Sequence, residues 1–207
     1  MKARILSLDE RLLPEIADVV RVSGIIVFPT DTVYGLGCDA FHERAVERIY
    51  ELKGRSREQP LALHLGSVSQ IARYCRELNE QQRRFIQRLL PGPYTLILPA
   101  SSEAPPCSVN STGGVGLRVP ARGAFQLLAQ TLEHPIAGTS VNRHGEPPLM
   151  RIEEIANEFG DAVDLILTTA EPISGQSSTV IDLVAYPPNV VRGTLPEGLQ
   201  AELEEEA

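Results

Sequence analysis

The chain has no tryptophan, only two methionines and, in 207 residues, no apolar run approaching the length that spans a bilayer. A transmembrane helix needs about 20 consecutive apolar residues. Cysteine is equally sparse. Cys38, Cys75 and Cys107 are far apart and odd in number, which suits neither a disulfide framework nor the close ligand pairs of a zinc site. Isolated free cysteines are ordinarily small buried hydrophobes, so a nucleophilic Cys38 is disfavoured. Met1 to Asp9 lacks the apolar core of a signal peptide, and a cytoplasmic protein is expected. Two nucleotide signatures are missing as well. There is no Gly-x-x-x-x-Gly-Lys-Ser/Thr, and Gly35 and Gly37 lack the third member of Gly-x-Gly-x-x-Gly. A nucleotide, if bound, is held by another architecture.

Lysine is the scarcest charged residue. Seventeen arginines stand against Lys2 and Lys53, and Lys2 is terminal, so Lys53 is the only lysine of the body. The formal charge is −8, but Glu197, Glu202, Glu204, Glu205 and Glu206 crowd the last eleven residues and leave about −3 on the rest. This acidity argues against tight non-specific nucleic-acid binding without excluding a local basic patch. Apolar content of 43% with 22% charged residues suits one soluble domain with a full-sized core. Residues 1–200 are read as that domain and 201–207 as an acidic tail.

Short apolar runs alternate with helical periodicity. Leu12 to Val20, Ala45 to Leu52, Val68 to Arg76, Phe85 to Leu90, Phe125 to Leu132 and Ile152 to Phe159 space their apolar residues as helices do. Strands are predicted at Ile25–Phe28, Leu61–Leu65, Tyr94–Leu98, Val115–Val119, from Ile136, and at Leu165–Leu167, Thr179–Leu183 and Val190–Arg192. Ser101 to Gly114 is a Pro/Ser/Gly-rich loop. The last strands follow one another without helices, so the fold class is α/β with a mixed sheet flanked by helices.

Polar residues collect at the strand ends. After Ile25–Phe28, Pro29 is expected to stop the strand and open a loop holding Thr30, Asp31, Thr32, Tyr34, Gly35 and Gly37. In open α/β sheets, ligands bind beyond such ends. Lys53-Gly54-Arg55-Ser56-Arg57 follows a helix. Its cations can complement the helix dipole with Gly54 as the left-handed cap, or converge as a phosphate clamp. Arg118 lies inside an apolar strand, where it must be exposed or paired with an anion. His64 closes one strand, Ser140 and Asn142 follow another, and Ser177-Ser178-Thr179 opens a third.

Taken in order, these segments resemble the YrdC family, the L-threonylcarbamoyladenylate synthases. The matching stretches are Phe28 to Gly37, Lys53-Gly54-Arg55, Gln59-Pro60-Leu61 with His64, Pro91 to Thr95, Leu117 to Pro120, Ser140 with Asn142, and Ser178 to Asp182. The paired Lys-x-Arg and Ser-x-Asn elements are distinctive of the family. The resemblance implies a single domain with a twisted mixed sheet and a concave electropositive cleft. It implies synthesis of threonylcarbamoyl-AMP and pyrophosphate from ATP, bicarbonate and L-threonine, for modification of tRNA. Mg²⁺ accompanies the ATP, and no protein metal site is expected. The expected partners are a downstream tRNA threonylcarbamoyl transferase complex and some direct tRNA or RNA contact, with no membrane.

Carried over by position, Lys53 and Arg55 are the catalytic cations. Thr32, His64, Arg118, Ser140 and a Ser178 or Thr179 hydroxyl surround threonine, while Arg55, Gln59, Asn142 and Arg192 contact ATP. The chain departs from the family pattern at Gly114, Val141, His144 and Arg192-Gly193-Thr194. Two other readings remain at this level: a related enzyme that adenylates carbamate or carbamoyl phosphate, and a non-catalytic RNA-binding module.

Overall fold

Every second residue of the apolar segments faces the same way, and this alternation builds the molecule. Leu61, Leu63 and Leu65, Leu96 and Leu98, Val115 and Leu117, and Ile181 all enter one large core. The residues between them are small or polar except Ile97 and Val180: Ala62 and His64, Thr95, Gly114, Gly116 and Arg118, and Ser178. A period of two therefore sorts a packed face from a face left free for a ligand.

The computed structural model describes residues 2–185, 187–196, 198 and 199. In chain order they form β1 (Arg4–Ser7), α1 (Leu13–Arg21), β2 (Ile26–Pro29), β3 (Tyr34–Asp39), α2 (Glu43–Lys53), β4 (Ala62–His64), α3 (Ile71–Tyr74) and α4 (Glu80–Leu89). Then come β5 (Tyr94–Pro99), β6 (Gly114–Arg118), α5 (Gly123–Thr131), β7 (Ile136–Ser140), α6 (Ile152–Phe159), β8 (Leu165–Thr168), β9 (Thr179–Asp182) and β10 (Asn189–Arg192). The ten strands make one sheet in the order β1-β8-β2-β3-β7-β4-β6-β5-β9-β10. Four pairings are parallel and five antiparallel, so the sheet is mixed as expected.

Two cores lie on the two faces. Residues of α2, α3, α4 and α6 join the larger one, and α1 with α5 covers Ile26, Phe28, Ile136 and Leu165 on the other. The second pair of helices covers only part of its face. Beyond α5 the free face of β4, β5, β6 and β7 stays open, and that opening is the cleft.

Two strands differ from the sequence reading. Pro29 does not end the ladder: it pairs with Tyr34, so the loop is confined to residues 30–33 and Tyr34–Asp39 is a full strand. At the last position of a strand, proline still offers its carbonyl, and its missing N–H matters little there. Gly35 and Gly37 hid the strand because glycine is depleted in strands. Here they are required by packing: a Cβ on Gly35 would lie 2.5 Å from the Phe28 ring, and one on Gly37 2.6 Å from Ile136. The other difference is β1, a short, mostly exposed edge strand without an apolar signature. The proposed acidic tail, 201–207, falls outside the described residues.

Candidate functional site

A cleft of about 600 Å³ opens on the free face, within the size range of small-molecule sites. Its floor is a row of small residues side by side across the sheet. Gly138 of β7 pairs with Ala62 of β4, and a Cβ on Gly116 of β6 would sit 3.8 Å from the Ala62 Cα. Large side chains here would fill the hollow. The next row toward the turn after β2 is polar, with His64 of β4 paired to Arg118 of β6.

Arg118 is the best-defined charge of the site. It is 4% exposed, and its Nη2 donates to Asp31 Oδ1 at 2.6 Å, Thr32 Oγ1 at 2.7 Å and Thr30 Oγ1 at 3.3 Å. Nε and Nη1 have no hydrogen-bond partner among the described residues, and Nε is fully buried. Nη1 is therefore the unused donor of a residue that lines the cleft. Burial disfavours the charge and Asp31 supports it. Thr30 holds the turn by donating to Val33 O at 2.7 Å and accepting the Thr32 N–H at 3.1 Å.

His64 stands beside Arg118 with its ring edge-on to Phe28, which in turn stacks on Phe125 of α5. Burial and the Arg118 charge push its pKa down to about 3, so the imidazole is neutral at physiological pH. Opposite, Thr95 and Ser178 share a hydroxyl hydrogen bond of 3.0 Å, and Arg192 donates to Ser178 O and Oγ.

Arg55 enters from the end of α2. Gly54 has φ 62 and caps that helix in the left-handed conformation, which turns Arg55 toward the sheet. Its guanidinium donates to Gln59 O, Pro60 O and Thr139 Oγ1. Burial lowers its pKa, and so does the nearby Arg192 charge. Among the described residues, three guanidinium groups thus line the cleft against the single carboxylate of Glu58.

Of the residues singled out by sequence, Arg55, Gln59, His64, Arg118, Ser140, Ser178 and Arg192 line this space together. Four others lie beside it. Thr32 stands behind Arg118 as an acceptor. Thr179 turns away and donates to Thr194 O at 3.0 Å. Lys53 and Asn142 form a buried corner next to Ser140. There the ammonium donates to Ser140 O at 2.8 Å and to Asn142 Oδ1 at 2.5 Å, and Ser140 Oγ donates to the same Asn142 oxygen at 2.7 Å. Desolvation, with Arg55 nearby, pushes the Lys53 pKa down to about 8. Cys38 is buried with its thiol pKa pushed far up, which leaves it unsuited to nucleophilic work.

Sequence reasoning missed Arg122 and Asn110. Arg122, 2% exposed, ties Thr169, Glu171 and Pro172 to the carbonyl of Thr30 and so fixes the turn that holds Arg118. Its signal was a second arginine, four residues after Arg118, closing the Val119-Pro120-Ala121 segment. Among the described residues, no group of three or more His, Cys, Asp or Glu could hold a metal ion. No helix among them is long and apolar enough to cross a membrane.

Comparison with known proteins agrees with this fold. The Sua5/YciO/YrdC family model, described as telomere recombination, matches residues 18–194. The threonylcarbamoyl-AMP synthase of Pyrococcus abyssi is 38% identical over 181 residues, covering 87% of this chain and 53% of that protein. That of Nitrosococcus oceani is 36% identical over 151 residues, covering 73% and 82%. The crystal structure of P. abyssi Sua5 complexed with L-threonine superposes with a TM-score of 0.87 at 34% identity, covering 99% of this chain and 61% of that one. The chain thus spans about half the length of the first of these relatives. With the mixed sheet, the small-residue floor and the Lys-x-Arg and Ser-x-Asn corners in place, the chain belongs to the Sua5/YciO/YrdC family.

Proposed function

We propose that this chain makes L-threonylcarbamoyl-AMP from L-threonine, bicarbonate and ATP, releasing pyrophosphate, as a nucleotidyltransferase serving tRNA modification. The observation that carries the reading is the half-engaged, buried Arg118 on the cleft wall. Its Nη1 group, with two N–H donors and no partner among the described residues, is suited to donate charge-assisted hydrogen bonds to a carboxylate. The relatives named threonylcarbamoyl-AMP synthase, and the threonine complex of one relative's structure, support the choice of amino acid.

In this mechanism the threonine carboxylate docks on Arg118, with neutral His64 and the Ser178 hydroxyl beside it. Neutrality lets the imidazole sit against Arg118 without like-charge repulsion. The neutral amino group and bicarbonate form a carbamate: the new C–N bond replaces a C–O bond of bicarbonate, and water leaves. A carbamate oxygen then attacks the α-phosphorus of ATP, forming the new P–O bond as the bond to pyrophosphate breaks. Two anions must meet for this step, so preorganised positive charge is the chief requirement. Arg55 and Arg192 supply it from the cleft lining, with Gln59 beside Arg55. Lys53 adds charge at the Ser140–Asn142 corner, and exchange of the Asn142 oxygen for a phosphate oxygen would bring its ammonium into direct contact. Mg²⁺ enters with ATP as part of the substrate and neutralises the phosphates. The product passes to a tRNA threonylcarbamoyl transferase complex.

Titration calorimetry with L-threonine tests the assignment of Arg118. Arg118→Lys keeps the charge near Asp31 but loses the fork, and hydrogen bonds to charged groups are worth about 1.5–3 kcal/mol. Threonine affinity should fall roughly ten- to 150-fold with ATP affinity nearly unchanged. Unaltered threonine binding by the folded variant would return Arg118 to a purely structural role.

A further inference from the structure

One lining residue has a polar group that the proposed chemistry leaves unused. Asn110 lies in the loop before β6, and its side-chain oxygen accepts three hydrogen bonds: Gly114 N–H at 2.7 Å, Thr112 Oγ1 at 2.8 Å and Thr112 N–H at 3.1 Å. Two of these donors are backbone amides, which can only donate, so the atom facing them must be the oxygen. The backbone of Asn110 is also engaged: its N–H donates to Gly114 O, and its carbonyl accepts from Gly113 N–H. What remains is the side-chain NH₂. It has no acceptor among the described residues, on a residue that lines the cleft. Gly114 makes room for it, since a Cβ there would lie 3.2 Å from the amide nitrogen and 2.6 Å from Ile97.

The position of this donor selects its ligand. Arg118 and Gly114 are four residues apart on β6, about 13 Å at ~3.3 Å per residue, too far for a small amino acid held at Arg118 to reach. Between them run Gly116, Ala62, Pro60 and Ile97, a flat, mostly apolar strip. A planar heteroaromatic ring fits such a strip, and an in-plane ring nitrogen would meet the NH₂ at its edge. Resting on the ATP reading above, we propose that Asn110 is a specificity residue that donates a hydrogen bond to a ring nitrogen of the nucleobase.

Asn110→Asp tests this without dismantling the turn, because a carboxylate oxygen accepts the same three bonds while the NH₂ becomes an acceptor. Binding of ATP, adenosine and the 1-, 3- and 7-deaza analogues of both is measured by calorimetry on the unaltered protein and on the variant. Adenosine is included because it has no phosphates for the new carboxylate to repel. We expect the variant to keep its melting temperature and its threonine affinity while binding ATP and adenosine at least tenfold more weakly. One deaza analogue should show the same loss on the unaltered protein and no further loss on the variant. Equal binding by the variant, a loss for ATP alone, no sensitivity to any deaza substitution, or an unfolded variant would each overturn the proposal. If the unaltered protein binds threonine but no ATP, the ATP reading fails first and this inference falls with it.

Discussion

Lys53 occupies an unusual place for a lysine: 3% exposed, with its ammonium held by a carbonyl and an amide oxygen rather than by a carboxylate. Its pKa near 8 makes its charge conditional. If that charge assists phosphoryl transfer, kcat should decline above about pH 8 as the ammonium loses its proton. Lys53→Arg should lower kcat, because a planar guanidinium cannot occupy the corner of a compact ammonium, and should remove that alkaline limb. A pH–rate profile of the two proteins checks this; an unchanged limb in Lys53→Arg would assign it to another group. His64 titrates at the opposite end. Its folded pKa of about 3 lies below the ordinary 6.5, so between these values the unfolded chain binds more protons and stability falls as pH falls. One such proton is worth about 1.4 kcal/mol per pH unit. His64→Gln should flatten the stability slope between pH 6.5 and 3 by about that amount, measured by urea unfolding. The sequence flagged both residues but not their surroundings. Local pattern shows only that His64 closes a strand; its neutrality comes from burial, with Phe28 and Phe125 of a distant strand and helix packed against the ring, and from the Arg118 charge.

At the scale of elements, β3 shows most clearly what a single sequence conceals. Tyr-Gly-Leu-Gly-Cys-Asp reads as loop because glycine weakens a strand, yet five of its six residues are buried. The cause lies on the neighbouring strands, where Phe28 and Ile136 occupy the space the glycines vacate. Gly37→Ala would place a Cβ 2.8 Å from the Ala137 carbonyl, where backbone must move. Overpacking of this kind costs about 1–3 kcal/mol. The melting temperature should fall by roughly 2–12 °C, since each kcal/mol shifts a domain of this size by about 2–4 °C. A wild-type melting temperature would show that the packing argument is wrong. The helices and the other apolar strands were legible from periodicity, because each buries one face. The Gly54 cap was legible too, as glycine after a basic helix end is a local signal.

On the scale of the whole molecule, the cleft is a consequence of coverage. Helices α1 and α5 close part of one face, and the strands beyond them carry mostly glycine, alanine and polar residues where the other face carries leucine and valine. Seven of the residues marked by motif meet there, drawn from six separate stretches of chain. Motif order made that set readable. The buried roles of Lys53, Thr32, Asn142 and Arg122 depend on contacts between distant segments, which no local pattern encodes.

The proposed reaction joins threonine, bicarbonate and ATP in one cleft. Pyrophosphate release, with each of the three omitted in turn, tests it most directly. The attacking carbamate exists only after threonine and bicarbonate combine, so release should require all three together with Mg²⁺ and drop to background when any is left out. Undiminished release without threonine would contradict the account and point instead to an enzyme that adenylates carbamate alone.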